Sequence, residues 1–208
     1  MSDAGSRVIG SMAPGHYGAA RTGVVMSETT IAAAWNVQGN PERASIVADA
    51  QQLFDVPLPL IPNTTCRSNA LVSFWLGPRS WLLVERSLPG RAAALVGFDA
   101  KRNVLNRGGG ALFDVSASRV AYTLHGPQAA TVLARSCPLD LDPRAFAAGH
   151  CAQSVLGRVT ALFYRHEEMA AFTVMVARSL ATDVWRGLCL AAAPDGYDVA
   201  APAPLSAA

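Results

Sequence analysis

The 208-residue chain lacks the sequence features that mark several large classes of protein. No apolar run approaches the roughly 20 residues that a membrane-spanning helix requires, so we expect no membrane protein. Neither a Gly-x-Gly-x-x-Gly fingerprint nor a P-loop is present, which argues against those two kinds of nucleotide site. Lys101 is the one lysine among 17 basic residues, the formal net charge is only +2, and no basic run occurs. We therefore expect no binding to nucleic acid, because little charge is available to attract phosphate.

Cysteines are also few and widely spaced, at positions 66, 137, 151 and 189. The chain contains no Cys-x-x-Cys pair, and the adjacent His150 and Cys151 are poorly placed to bind one zinc ion with tetrahedral geometry. We therefore predict no metal site and four reduced thiols. Residues 1–18 lack the charged start and apolar core of a signal peptide, so we also predict a cytoplasmic location.

The composition of the chain is that of a globular protein. Hydrophobic residues make up 51% of the chain and charged residues 15%, far from the balance found in disordered segments. A chain of this length buries roughly 70% of the surface that its unfolded form exposes. We expect one large domain or two small fused domains.

The first half of the chain shows a strand, a glycine corner and then a helix. A strand is predicted at 31–37, and it runs into Gly39. Asn40 is then the predicted helix cap and Pro41 the first helical residue, where proline is favoured. Apolar residues at helical spacing continue to Phe54, which predicts an amphipathic helix packed on a sheet.

The second half repeats this order. A strand predicted at 119–124 runs into Gly126 and Pro127, and a helix pattern follows to Arg135. Gly39 and Gly126 therefore occupy the same place in two like units, which predicts an internal duplication.

Each half continues with a hairpin and a second helix. The hairpin strands are predicted at 71–76, 81–85, 159–164 and 172–176. Helices are predicted at 91–97 and at about 180–191. The predicted fold class is α+β, with two tandem split-βαβ, ferredoxin-like units. The predicted segments are a flexible N-terminal segment (1–20), a first β-α-β-β-α half (21–110), a second such half (111–195) and a flexible Pro/Ala tail (196–208).

A longer ordered set of residues resembles a known family. The set is Gly77-Pro78, Trp81-Leu82-Leu83, Asp114-Val115-Ser116, Arg119, Gly126-Pro127, Ala130, Val132-Leu133-Ala134, Cys137-Pro138-Leu139-Asp140-Leu141, Pro143, Phe146, Gly149 and Cys151-Ala152-Gln153. In this order, over about residues 14–193, it resembles the gamma subunit of heterotetrameric sarcosine oxidase. That family is similar in turn to the folate-binding domain of aminomethyltransferases such as the glycine cleavage T-protein, whose architecture agrees with the doubled unit.

The resemblance implies a non-catalytic structural subunit of a four-subunit flavoenzyme that oxidatively demethylates sarcosine to glycine. It implies the alpha subunit as principal partner, with the beta and delta subunits in the same complex. FAD, FMN, NAD and tetrahydrofolate are then expected on other subunits, with no cofactor and no catalytic residue in this chain. The complex would be an oxidoreductase, whereas the chain alone would have no independent catalytic site.

A stand-alone folate-dependent aminomethyl or one-carbon transferase is the alternative function. In the aminomethyltransferases a Gly-Gly-Ile segment leads to paired acids, and the matching stretch here, residues 156–161, contains no acid. A carboxylate is needed there to orient folate and to stabilise positive charge on the transferred group. A small RNA-binding module is a third possibility, which the scattered arginines and the missing aromatic RNA-binding signature disfavour.

The remaining polar candidates are expected to be structural. His125 precedes a glycine corner without a nucleophilic serine motif, so a hydrogen-bonded structural role is favoured. His166, Glu167 and Glu168 fall in a predicted hairpin loop, where we expect them to be exposed and solvated.

Trp75, Arg79 and Trp81 are the candidate interface residues, because tryptophan and arginine commonly anchor protein interfaces. The alternation of side chains along a strand could instead bury either tryptophan in the core. Three further arginines are candidate contacts either to the large subunit or to internal carboxylates. These are Arg119, Arg144 and Arg158.

Overall fold

The computed structural model describes residues 13–86, 96–167 and 169–205, which form a mixed α+β fold with two β-sheets. The helices are α1 (Ala44–Phe54), α2 (Phe98–Arg107), α3 (Ala129–Ala134) and α4 (Ala181–Ala192). The strands are β1 (Gly15–Tyr17), β2 (Val24–Thr30), β3 (Ala34–Gln38), β4 (Thr65–Arg67), β5 (Leu71–Gly77), β6 (Ser80–Glu85), β7 (Ala111–Asp114), β8 (Arg119–His125), β9 (Cys151–Leu156), β10 (Val159–Arg165), β11 (Ala171–Ala177), β12 (Tyr197–Val199) and β13 (Ala203–Pro204). Within these described ranges, no helix is long and apolar enough to cross a membrane.

The first sheet has five strands in the order β4-β5-β6-β3-β7, and every neighbouring pair is antiparallel. The hairpin predicted at 71–76 and 81–85 is confirmed as β5 and β6, which a tight turn at Pro78 and Arg79 connects. β4 has no counterpart among the predicted strands, because three residues are too few to show an alternating pattern. The helix predicted at 91–97 falls largely on residues outside the described ranges, and α2 begins after it.

The second sheet has eight strands. Seven of them follow the order β1-β12-β2-β8-β11-β10-β9, and β13 pairs with β2 beside this path. The second predicted hairpin is confirmed as β10 and β11, which are antiparallel. β9 is an additional strand that pairs with β10. β12 and β13 run parallel to β2, whereas β2 runs antiparallel to β8.

The two terminal segments that we expected to be flexible both contribute strands. β1 lies within residues 1–20, and β12 and β13 lie within residues 196–208. Their backbone groups pair with each other and with β2. A Pro/Ala composition describes only local preference, whereas an available strand elsewhere in the sheet supplies hydrogen-bond partners for the chain end.

The division expected at residue 110 does not coincide with the division between the sheets. β2 comes from the first half of the sequence but pairs with β8 in the second sheet. β7 follows residue 110 but pairs with β3 in the first sheet. Each half therefore contributes one strand to the sheet that the other half mainly builds.

The sheets and helices form four layers. One core cluster packs α1 and α2 on the outer face of the first sheet, through residues that include Ala50 and Leu105. A second cluster packs α3 and α4 on the outer face of the second sheet, through residues that include Leu133 and Leu188. A third cluster lies between the inner faces of the two sheets, because alternate strand residues point to opposite faces. The order of layers is helices, sheet, sheet, helices.

The first helix starts later than its sequence predicts. α1 begins at Ala44, with Arg43 as the capping residue. The side-chain oxygen of Asn40 instead accepts a hydrogen bond of 3.2 Å from the backbone nitrogen of Glu42, which forms a turn before the helix. Asn40 therefore has the local hydrogen bond typical of its residue type, but in a turn and not at the helix cap.

Candidate interface surface

Trp75 and Trp81 have different environments although they are partners across the β5–β6 hairpin. Residues directly opposite each other share one face of a sheet, and both side chains pack on the outer face that α1 and α2 cover. Trp81 is fully buried, and its indole Nε1 donates a hydrogen bond of 2.8 Å to the carbonyl oxygen of Pro59. Trp75 is only half-buried. Trp81 is thus a core residue, while Trp75 reaches the surface.

Beside Trp75 is an apolar groove of about 340 Å³, which we call the Trp75 groove. It is lined by Pro41, Glu42, Leu60, Pro62, Trp75, Pro78 and Trp81. Leu60 is 58% exposed and the adjacent Ile61 is 70% exposed, so the loop before β4 presents large apolar side chains to solvent. Neither Leu60 nor Ile61 is among the interface residues predicted from the sequence, although an apolar pair enclosed by prolines at 59 and 62 is a signal for an exposed apolar loop.

Arg79 faces a neighbouring hollow of about 390 Å³, which we call the arginine pocket. Its lining residues are Gln38, Gly39, Asn40, Arg43, Arg79 and Gly109. The Arg43 side chain lies directly over Gly109, where a Cβ atom would collide with the guanidinium. The backbone nitrogens of residues 108–110 donate to carbonyl oxygens at the end of α2, so this glycine turn closes the helix and its amides are already occupied.

The other three candidate arginines line neither of these hollows. Arg119 is half-buried at the start of β8, and Arg158 is exposed in the turn between β9 and β10. Arg144 is exposed in the loop before β9 and forms a two-point ion pair with Asp142, with nitrogen–oxygen distances of 2.9 and 3.2 Å. The Arg144 guanidinium lowers the pKa of the Asp142 carboxyl below its ordinary value. Arg144 is thus paired with a carboxylate of its own chain.

A third hollow, of about 310 Å³, lies between α3, α4 and the β9–β10 turn. Its floor is apolar and includes Val132, Val184 and Leu188. Residues 156–159 of the stretch 156–161 line this hollow beside the helices. Asp183 supplies a carboxylate at this hollow, but its side chain is exposed to solvent. A carboxylate in that position is solvated, unlike one held inside a closed site.

The polar residues before β11 are more ordered than predicted. His166 is 7% exposed, and its Nε2 lies 2.7 Å from the hydroxyl of Thr173. Glu167 lies 2.9 Å from Nε of Arg67 in an ion pair. The expectation that His166 would be exposed is therefore wrong, because the loop folds back against the sheet. Glu168 lies outside the described residues.

All four cysteines are free thiols. Burial is the main cause of a raised pKa at each of them, and it raises the pKa of Cys151 to about 12. Thiols with raised pKa values are poor nucleophiles and poor metal ligands at neutral pH. Among the residues that the structure describes, no group of three or more His, Cys, Asp or Glu side chains is arranged to hold a metal ion.

The sequence matches proteins of one family. Residues 38–194 match the Sarcosine oxidase, gamma subunit family. The chain is 36% identical over 96 residues to sarcosine oxidase subunit gamma of Corynebacterium sp. (strain U-96), and this alignment covers 46% of the chain and 44% of that relative. It is 29% identical over 151 residues to the subunit gamma of Arthrobacter sp, covering 73% of the chain and 71% of the relative.

The fold matches two solved structures. One is heterotetrameric sarcosine oxidase from Corynebacterium sp. U-96, in which a chain superposes with a TM-score of 0.72 at 26% identity, covering 92% of this chain and 90% of that one. The other is glycine cleavage system aminomethyltransferase T from Bartonella henselae, with a TM-score of 0.56 at 16% identity over 90% of this chain and 49% of that one. The second likeness shows a shared fold alone. Since the family match covers well over half of the sequence and the matching chain of the first structure is covered almost completely, the protein belongs to the sarcosine oxidase gamma subunit family.

Proposed function

We propose that this chain is a non-catalytic structural subunit of a heterotetrameric sarcosine oxidase, the enzyme that oxidatively demethylates sarcosine to glycine. The observation that carries the proposal is the superposition on a chain of such an assembly, with a TM-score of 0.72 and about nine-tenths of both chains covered. Agreement over that length means that the two chains share nearly their whole fold. The function of this chain is then to bind other subunits and hold them in place.

The strand directions support a doubled split-βαβ architecture. β3 and β5 both run antiparallel to β6, which lies between them, and α1 connects β3 to this hairpin sheet. β8 and β10 have the same relation to β11, and α3 has the place of α1. We interpret β4 and β9 as edge strands added to each unit. The units then exchange β2 and β7, which gives two halves close to 21–110 and 111–195.

Under this proposal the alpha subunit is the principal partner, and the beta and delta subunits belong to the same complex. FAD, FMN, NAD and tetrahydrofolate are carried by the other subunits. The position of Asp183 supports the assignment of tetrahydrofolate to another subunit, because its carboxylate is exposed at the mouth of the hollow near residues 156–161. An exposed carboxylate is screened by water and stabilises developing positive charge weakly.

The Trp75 groove is the proposed contact to the alpha subunit. Its apolar lining and the exposed side chains of Leu60 and Ile61 fit the centre of an interface, which is richer in aromatic and aliphatic residues than the remaining surface. Arg79 lies beside it, and Arg119 and Arg158, which line neither the groove nor the arginine pocket, are proposed as separate contacts. A permanent subunit contact buries on the order of 2,000 Å² or more, so we expect the isolated chain to be less stable and less soluble than the same chain in the complex.

The test is co-expression of the chain with the alpha, beta and delta subunits from the same organism, with an affinity tag on the alpha subunit. We expect a flavin-coloured complex that contains this chain in equal amount. Replacing both Leu60 and Ile61 by serine should reduce the recovered amount of the chain. Leu190→Ser is the matched control, because Leu190 is 77% exposed on α4 and lies outside the groove.

The proposal is wrong if the untagged wild-type chain is absent from the purified flavin complex and is recovered as a stable, colourless monomer. It loses its proposed surface, but not the subunit role, if the Leu60/Ile61 double variant is retained as well as Leu190→Ser.

The alternative, a folate-dependent one-carbon transferase, draws support from the shared fold of aminomethyltransferase T and from the hollow of about 310 Å³. Equilibrium dialysis of the purified chain against tetrahydrofolate addresses it. Micromolar binding by the single chain would favour the transferase, whereas binding only by the four-subunit complex would favour the structural role.

A further inference from the structure

The Trp75 groove and the arginine pocket form one continuous surface. Asn40 lines the pocket and the next residue, Pro41, lines the groove. Arg79 lines the pocket and the preceding residue, Pro78, lines the groove. Two pairs of consecutive residues thus connect an apolar hollow with a cationic one, and a single extended segment can occupy both.

The arginine pocket holds two arginines that form no direct ion pair with any described residue, although the carboxylate of Asp49 lies beside the neighbouring Gly108. Arg43 and Arg79 are both exposed, and neither has a carboxylate partner in the described part of the chain. Several other arginines do have one: Arg67 pairs with Glu167, Arg102 with Asp99, Arg135 with Asp195 and Arg144 with Asp142.

Glu42, the acidic residue next to Arg43 in the sequence, does not form an ion pair with Arg43 or Arg79. Glu42 lines the groove, and its Oε2 accepts a hydrogen bond of 3.3 Å from the side-chain amide of Asn40. Two guanidinium groups that face one hollow repel each other, and the repulsion grows as a partner displaces water from the hollow. Covering this surface with a neutral or basic partner would therefore be unfavourable.

We propose that the partner segment seated on this surface is acidic: an apolar or aromatic side chain enters the Trp75 groove, and an aspartate or glutamate close to it in sequence enters the arginine pocket. This inference rests on the proposed function, and it specifies the chemistry of the segment that the alpha subunit contributes. Guanidinium groups bind carboxylates through two parallel hydrogen bonds, so Arg43 and Arg79 give the contact both charge complementarity and orientation. The apolar groove supplies buried area, and the arginine pocket selects the partner.

Site-specific photo-crosslinking identifies the segment directly. The complex is assembled from the alpha, beta and delta subunits and from this chain carrying p-benzoylphenylalanine at position 60, and the cross-linked peptide is sequenced by mass spectrometry. We expect a peptide of the alpha subunit with Asp or Glu within about three residues of an apolar or aromatic residue, because roughly 10 Å of extended chain then spans both hollows. A peptide without such an acid, or a peptide from a second copy of this chain, would overturn the inference.

The charge requirement is tested with Arg43→Gln/Arg79→Gln in the same complex. The matched control is Arg21→Gln/Arg186→Gln, which removes two charges from exposed arginines that also lack a carboxylate partner within the described ranges. We expect the first variant to dissociate about tenfold faster or more and to lose this chain at a lower sodium chloride concentration, while the control behaves like wild type. Circular dichroism of both variants checks that the chain is folded.

The outcomes separate the inference from the proposed function. If the wild-type chain forms no complex with the other subunits, the proposed function fails. If the complex forms and the two double variants dissociate at the same rate and at the same salt concentration, the proposed function stands and the acidic partner segment is refuted.

Discussion

The indole nitrogen of Trp81 donates a hydrogen bond to the carbonyl oxygen of Pro59 at 2.8 Å. Trp81 lies on β6 inside the core, whereas Pro59 belongs to the loop between α1 and β4. The same loop exposes Leu60 and Ile61. This bond therefore attaches the apolar rim of the candidate interface to the sheet, and it satisfies an indole that would otherwise be buried without a partner.

Replacing Trp81 by phenylalanine should destabilise the chain by about 1–3 kcal/mol, because the Pro59 carbonyl loses its partner and the smaller ring leaves space in the core. Trp75→Phe should cost less, since Trp75 is half-buried. Urea unfolding followed by far-UV circular dichroism measures both changes. Equal midpoints for the two variants would show that the Trp81 hydrogen bond contributes little.

A chain of buried hydroxyl groups crosses three strands on the inner face of the second sheet. Thr29 and Thr123 have their Oγ1 atoms 2.6 Å apart, those of Thr123 and Thr173 are 2.7 Å apart, and His166 adds the next contact at 2.7 Å. All four residues are buried. Thr123→Val keeps the shape of the side chain but removes the middle hydroxyl of this hydrogen-bonded row. We therefore expect the free energy of unfolding to fall by about 1–3 kcal/mol.

Thr29→Val is the matched control for the hydroxyl chain, because it removes the terminal member and leaves Thr123 bonded to Thr173. We expect a smaller loss for this variant. Thermal unfolding of both variants, compared with wild type, gives the ranking. A Thr29→Val variant as unstable as Thr123→Val would contradict a chain organised around Thr123.

Gly39 and Gly126, the two corners that the sequence predicts to be equivalent, differ in their need for glycine. Gly126 has φ of +112°, and a Cβ atom there would lie 3.0 Å from the carbonyl oxygen of Gly23. Gly39 is not in the left-handed region, and a Cβ atom there would lie 2.9 Å from Cγ2 of the buried Ile46 side chain, so it meets a close contact without backbone strain. Gly126→Ala should therefore cost about 1–3 kcal/mol in backbone strain, and more than Gly39→Ala. Urea midpoints of the two variants test this order.

The pair of His16 and Asp198 links β1 to β12 and should respond to pH. His16 Nδ1 lies 2.7 Å from Asp198 Oδ1, and this hydrogen bond, with one to the Ala19 carbonyl, raises the pKa of His16 above 6.5. The same bond lowers the pKa of Asp198 below 3.8. The stability that protonated His16 contributes is fully present below pH 6.5, and it is lost as the pH rises through the higher pKa of His16 in the folded chain. The stability that ionised Asp198 contributes is fully present above pH 3.8, and it is lost as the pH falls through the lower pKa of Asp198 in the folded chain.

The link between β1 and β12 should accordingly be tightest between pH 3.8 and 6.5. Titration of the His16 ring protons by NMR should give a pKa above 6.5 in wild type, and one closer to 6.5 in Asp198→Asn. An unchanged titration in Asp198→Asn would show that Asp198 is not the cause.

The hairpins and helices that the sequence predicted correctly are those with a long apolar run or a clear helical period. β5, β6, β10 and β11 are mostly apolar strands of six or seven residues, and α4 buries residues at helical spacing. β4 has three residues and β9 contains polar ones, so neither has a pattern that stands out from a loop. These two strands form because a neighbouring strand offers them hydrogen-bond partners.

The candidate interface could be predicted only in part. The sequence identified Trp75, Arg79 and Trp81 as residues of interest, but their residue types cannot say which tryptophan is covered. The loop that contains Pro59 decides this, because it covers Trp81 and leaves Trp75 half-exposed. The sequence did not indicate Arg43, because Arg43 lies near Arg79 only once the start of α1 packs beside the β5–β6 turn.

The sequence by itself determined the α+β class, the repeated strand–corner–helix order and the family resemblance, since all three are written in local periodicity and in the order of short motifs. The tertiary structure decided which sheet receives β2, β7 and the strands near the chain ends, and it decided that the Trp75 groove and the arginine pocket adjoin. Those features depend on pairing between segments far apart in the chain. Local propensity carries no information about which distant edge or side chain will be available as a partner.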